Sequence, residues 1–155
     1  MKALDYIKLS TITLVALIII MQGFGPYKVT YNRTKSIMTG WYWVDTTRVD
    51  QRLGALVWAR SQKAQSMGCI ESHQYLLKHI VGLPGQTICL DQGRLLTPAY
   101  APYSIGPKTL PYAFDGCIEL GHDEVFLATP HPKSCDSRVL GPILIKDLLG
   151  TATKL

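Results

Sequence analysis

The chain has 155 residues, 47% of them hydrophobic, and 16 Lys and Arg against 11 Asp and Glu give a formal net charge of +5. That length holds one domain with one real core and leaves no room for several. Between Lys28 and Lys63, the cations Lys28, Arg33, Lys35, Arg48, Arg52, Arg60 and Lys63 face only Asp45 and Asp50. This stretch carries the whole excess, and it has no nucleic-acid reader motif, so it reads as contact with anionic lipid and not with nucleic acid.

From Leu9 to Tyr27 no charge occurs, and the run TITLVALIIIM, residues 11–21, is nearly continuous hydrocarbon. At ~1.5 Å per residue, a helix of that length approaches the ~30 Å hydrocarbon core of a bilayer. Residues 9–27 are therefore expected to form a transmembrane anchor ahead of a β domain at 28–155. The rival is a cleaved secretory signal, with Lys2 and Lys8 as its basic region and Gly23-Phe24-Gly25 as a small-x-small site. Pro26 would follow that cut with a fixed φ and no N–H. Together with the length, this favours a retained anchor. The basic flank after the segment argues for a cytoplasmic side, but long domains translocate largely regardless of charge.

Beyond the anchor, short apolar or alternating runs are separated by Gly and Pro, as in a mainly β fold. The expected strands are Gly40–Asp45, Leu53–Ala59, Tyr75–Val81, Thr87–Leu90, Glu124–Ala128 and Gly141–Ile145, with a helical turn at Gln62–Met67. Residues 97–112, rich in proline, read as an irregular excursion, and Lys146–Leu155 as a short helix. The four cysteines, Cys69, Cys89, Cys117 and Cys135, contain no C-x-x-C pair. In an exported domain they allow three disulfide connectivities. Without paired spacing to His73, His79, His122 or His131, neither a metal nor any other cofactor is expected.

Three stretches carry chemistry. In YLLKHIVGLPGQTI, residues 75–88, a strand places Leu76, Lys78 and Ile80 on one face. A lysine there either snorkels to water from an edge strand or is desolvated. Desolvation that lowers its pKa from ~10.4 to near 8 needs roughly 3–4 kcal/mol and yields a base able to deprotonate a serine. HPKSCDSRVLGPI, residues 131–143, offers the Ser134 hydroxyl to orient such a lysine and an Asp136–Arg138 pair to fix the loop. NRTKSIMTGWYW, residues 32–43, presents Thr34, Ser36 and Thr39 as hydroxyls beside the anchor.

Taken in order, T-K-S-I-M-T-G-W-Y (34–42), L-K-H-I-V-G-L-P-G-Q (77–86) and S-C-D-S-R-V-L-G-P (134–142) resemble the conserved boxes of type I signal peptidases. More narrowly they resemble the TraF-type conjugative-transfer branch, whose nucleophile box is matched by Asn32, Thr34, Ser36, Gly40 and Tyr42. Leu110-Pro111, Gly116-Cys117 and Leu120 also fit that branch.

The resemblance implies an N-terminal transmembrane helix and a small antiparallel β-barrel-like catalytic domain. It implies a serine endopeptidase of the bacterial inner membrane, single-pass, with its domain on the periplasmic side. Its substrate would be an exported precursor, a propilin in a conjugative system, and a cleaved pilin could be cyclised. Ser36 would be the nucleophile and Lys78 the base. Thr34 would give a second oxyanion donor beside the Ser36 N–H. Ser134 would orient the lysine, with Asp136 and Arg138 in support. Ile37, Met38 and Leu76 are the residues expected to line shallow substrate pockets. The branch also implies a Cys89–Cys117 disulfide and leaves Cys69 and Cys135 paired or free. Met38 in place of a proline, Gln86 in place of an Asp, and Val139-Leu140 in place of an aromatic pair depart from the family pattern. The other readings are a general signal peptidase, and a non-catalytic component of a pilus or secretion assembly.

Overall fold

The computed structural model describes residues 3–71, 74–91, 94–97, 100–104 and 113–155. His73, Leu110 and Pro111 therefore lie outside the described residues. Helix α1 (Ala3–Phe24) leads the chain, and its side chains from Ile12 to Ile20 are exposed. It starts earlier than the expected anchor, taking in Asp5 and Lys8, and stops before Gly25-Pro26, which break it. Its uncharged part, Leu9 to Phe24, rises only about 24 Å, short of a ~30 Å hydrocarbon core. Among the described residues no helix is long and apolar enough to cross a membrane. The helix thus differs from the expected 9–27 span at both ends.

Tyr27 opens β1 (Tyr27–Asn32), which pairs antiparallel with β2 (Gly40–Asp45). The pleat of β2 turns Tyr42 and Val44 inward and Trp41 and Trp43 outward, where they pack on Tyr31 and Tyr27. Then follow β3 (Leu56–Ala59), α2 (Gln62–Ser66), β4 (Leu76–Gly82), β5 (Thr87–Asp91), β6 (Arg94–Thr97), β7 (Tyr100–Ser104), β8 (Gly116–Glu119) and β9 (Glu124–Ala128). Helix α3 (Ser137–Leu140), β10 (Ile143–Leu144), a 3₁₀ turn at Ile145–Asp147 and β11 (Leu148–Lys154) complete the chain.

The strands form a seven-stranded sheet, β1-β2-β11-β3-β4-β9-β10, and a four-stranded one, β7-β6-β5-β8. Every described pairing is antiparallel. Among the described residues neither sheet closes, so the barrel-like expectation becomes two open sheets. The chain passes from one to the other through the turn at Leu83–Gln86, after which β5 pairs with β6 and β8. Val81, Phe126 and Ala128 of the first sheet pack with Ile88, Leu90 and Leu95 of the second.

The strand expected at Gly141–Ile145 keeps only Ile143–Leu144, and three further expected elements are revised. Gly54, at φ 85°, shortens Leu53–Ala59 to its last four residues. Tyr100–Ser104, inside the expected excursion, pairs with β6. Most consequentially, the expected C-terminal helix is strand β11, seated between β2 and β3. Leu148, Gly150 and Ala152 alternate inward along it. A Cβ at Gly150 would stand 2.5 Å from the Asp45 carbonyl oxygen and 3.0 Å from Val44 Cγ1. Gly150→Ala should therefore cost about 1–3 kcal/mol through overpacking. Urea unfolding of the variant checks this, and an unchanged midpoint would contradict it.

Candidate active site

Strand β4 sets the site. Lys78 shares a face with Leu76 and Ile80, both in the largest buried cluster, and is itself only 5% exposed. Val57 lies across from it on β3. Burial pushes its pKa down to about 8; Asp136 acts to raise it and Arg138 to lower it. The desolvated lysine is therefore what the fold builds. The snorkelling alternative fails because Lys78 is buried where it stands, between Leu76 and Ile80.

Ser36 reaches that lysine from the loop between β1 and β2. In sheet order β2 and β4 stand three strand spacings apart, about 14 Å at ~4.8 Å each. The loop must therefore arch across the sheet, and Lys78 Nζ meets Ser36 Oγ at 2.9 Å. Asn32 shapes the arch. Its Nδ2 donates to the carbonyls of Thr34 (2.8 Å), Ile37 (3.3 Å) and Met38 (3.1 Å). Its Oδ1 accepts from the Thr34 N–H at 3.2 Å and the Thr34 hydroxyl at 2.8 Å. Tyr42 OH adds a second bond to the Met38 carbonyl, at 2.7 Å.

Thr34 Oγ1 is 2.9 Å from Ser36 Oγ. Its one proton lies toward Asn32, so donating to a developing oxyanion requires that proton to rotate. Asn32 Oδ1 keeps the Thr34 N–H when it does. The swap exchanges a neutral hydrogen bond for a charge-assisted one, which is the stronger.

The Asp136–Arg138 pair is wholly buried, at 0% and 1% exposure, with Arg138 Nη2 2.6 Å and Nε 2.8 Å from the carboxylate. Arg138 also donates to the carbonyls of Thr129 (3.0 Å) and His131 (2.9 Å). Asp136 caps α3 through the Arg138 N–H and accepts from the Thr129 N–H. The Ser134 hydroxyl, expected to orient Lys78, is buried without a hydrogen-bond partner. Thr129 carries a second buried, unpartnered hydroxyl. The β4–β9 register ends at His79↔Ala128, one residue short of Lys78.

The expected pocket residues separate. Met38 is 68% exposed and Ile37 packs on the cluster of Tyr42, Val44 and Leu77, whereas Leu76 is buried in the core. Of the departures, Gln86 is compensated, since its side-chain oxygen accepts the Leu83 N–H at 2.9 Å and closes the turn. Thr39 is exposed, as a turn residue would be. Both disulfides form: Cys89–Cys117 directly across β5 and β8, and Cys69–Cys135 beside the site. Among the described residues no group of three metal-binding side chains converges.

Asn32 and the Cys69–Cys135 bond were the parts missed in the sequence as structural agents. An Asn two residues before a Thr is an Asx-turn signal that could have flagged the first.

A hydroxyl held against a buried, depressed-pKa amine is the constellation of a serine hydrolase that uses an amine where others use imidazole. The sequence agrees. The chain belongs to the signal peptidase family, peptidase S26, whose pattern matches residues 3–155. It is thus a serine peptidase of the signal peptidase type. No curated protein matches it.

Proposed function

We propose that the chain is a membrane-held endopeptidase that cuts signal or leader segments from exported precursors, with Ser36 as nucleophile and Lys78 as general base. The observation that carries this is the 2.9 Å contact between Ser36 Oγ and a lysine only 5% exposed. Neutral Lys78 takes the Ser36 proton as Oγ attacks the scissile carbonyl. The oxyanion is met by the Ser36 N–H and the turned Thr34 hydroxyl. Lys78 returns the proton to the leaving amine, and neutral again, activates the water or amine that releases the acyl-enzyme.

The sheet offers a place for the substrate. β9 leaves β4 at Ala128, and the residue two steps on, Pro130, has no N–H to extend the ladder. Among the described residues, no strand pairs with Leu76–Lys78 on that side. An extended precursor segment added there would be positioned by main-chain hydrogen bonds.

The membrane reading rests on the exposed apolar face of α1, the basic stretch after it, and the exposed Tyr27, Tyr31, Trp41 and Trp43. Aromatics of this kind favour the lipid–water boundary. In this reading the chain sits in the bacterial inner membrane with the β domain on the periplasmic side. The substrate is a propilin of a conjugative system, on the strength of the Asn32-to-Tyr42 box.

The test is incubation of the full chain with such a precursor, wild type beside Ser36→Ala, read by product mass. Cleavage by wild type alone supports the proposal, equal function of the two sinks it, and a product lighter by one water marks cyclisation.

A pH profile follows from Lys78. The base works only when neutral, so kcat/KM should climb about tenfold per pH unit below about 8 and level off above it. Measured from pH 6 to 10, a limb near the ordinary lysine value would speak against a desolvated base.

A further inference from the structure

We propose that the Cys69–Cys135 disulfide is a positioning bond of the Ser36–Lys78 site, clamping the segment that carries Asp136 and Arg138 onto a fixed buttress, α2. The inference rests on the dyad reading above.

Cys135 stands between Ser134 and the buried Asp136. Its partner is no loose loop residue. Cys69 follows Gly68, which at φ 70° ends α2, and the Cys69 N–H bonds the Ala64 carbonyl at 2.9 Å while the Gly68 N–H bonds that of Gln65 at 3.0 Å. Those two bonds form a Schellman cap, so the position of Cys69 is set by α2 itself. Ala64 is buried in the same cluster as Leu76 and Ile80, the residues flanking Lys78. At its other end α2 is tied to the same segment again: Lys63 Nζ donates to the Leu140 carbonyl at 2.6 Å. The stretch from Cys135 to Leu140 is thus pinned at both ends to one short helix. Between the pins lie the two charges that reach Lys78.

Cys69 and Cys135 also pack against the cluster that contains Leu76 and Ile80. The disulfide is therefore part of the cover that keeps water from the lysine's face of β4. The groups facing Lys78 are Asp136 and Arg138 from the clamped segment, the Ser36 hydroxyl, and the uncharged Val57 from β3. None of these is supplied by the other disulfide, which lies in the four-stranded sheet. Opening the clamp should hydrate Lys78 and favour its charged form.

The test reads the lysine directly, so that it stands apart from the peptidase reading. Lys78 is titrated by lysine ¹³Cε NMR in the full chain, its signal assigned by its loss in Lys78→Met. The Cys89→Ala/Cys117→Ala protein serves as background, since there a phosphine reductant opens only Cys69–Cys135. Opening is expected to move the Lys78 midpoint up by about one pH unit, with the acid limb of any precursor cleavage moving with it. The Cys69→Ala/Cys135→Ala chain should do the same without reductant. A midpoint unmoved by reduction, in protein that near-UV circular dichroism shows to be folded, overturns the proposal, as does cleavage that falls at every pH without a shift of the limb. If the Cys69→Ala/Cys135→Ala chain does not fold, the reduction arm decides. A moved midpoint in a chain that cleaves no precursor supports the clamp and counts against the peptidase.

Discussion

Lys78→Met should abolish precursor cleavage and at the same time stabilise the fold at pH 7. Methionine keeps nearly the volume of the lysine stem and removes the charge, so the packing between Leu76 and Ile80 is preserved. The loss of activity follows from the base: without it, Ser36 has no group in reach to take its proton, and a fall of about 10²–10⁴-fold is the usual scale. Ser36→Ala should fall at least as far, and the double variant no further, because the two residues act as a unit. The gain in stability follows from the same number. A folded-state pKa of about 8 against 10.5 unfolded means that holding Lys78 charged in the fold costs about 3 kcal/mol. Below pH 8 the lysine is protonated in both states and the whole penalty is present. Between 8 and 10.5 the folded state gives up its proton first, the penalty fades, and wild-type stability rises with pH. The advantage of Lys78→Met should thus be largest at pH 7 and nearly gone at pH 10.5. Urea titrations at both values check it. A variant less stable than wild type at pH 7, or an advantage independent of pH, would falsify the desolvated lysine.

That lysine was legible because strand periodicity is local. Leu76, Lys78 and Ile80 share a face by pleat alone, and β2 was readable to the residue from its alternation and β9 from its unbroken apolar run. What covers the face was not legible, since it comes from sequence far away. The Cys69–Cys135 bond joins positions separated by 66 residues, and nothing local to either cysteine names its partner. Strand β11 was missed for a related reason. Its run LLGTATK has little β-branched character apart from its threonines, and it becomes a strand because β2 and β3 supply partners on both sides. Ser134 shows the converse. The resemblance implied a role for it, yet its hydroxyl is buried without a hydrogen-bond partner, while Ser36 bonds Lys78. The helix was read in place, but it starts ahead of the expected span, at Ala3, and ends at Phe24, where Gly25 and Pro26 stop it.

Breaking the Asp136–Arg138 pair should destabilise the chain from either side and move the pH profile in opposite directions. Both groups are buried and each carries several bonds. Asp136 holds the Arg138 N–H at the start of α3 and the Thr129 N–H, and Arg138 holds two carbonyls. Removing one partner strands the other as an unpaired charge, which costs about 3–5 kcal/mol in such pairs. In a domain with ~5–15 kcal/mol in total, the variants should fold at low temperature and melt early. The pH effects separate the two. Asp136 raises the pKa of Lys78 and Arg138 lowers it. Asp136→Asn leaves Arg138 unopposed, so the lysine loses its proton more easily and the acid limb of cleavage moves to lower pH. Arg138→Met leaves the carboxylate unopposed, favours the ammonium, and moves the limb to higher pH. Profiles taken at a temperature where both variants are folded give the answer. Equal losses of stability with limbs displaced to opposite sides of wild type place the pair in the electrostatics of the base. Limbs that stay together would reduce it to a buried strut for the Thr129–Leu140 segment.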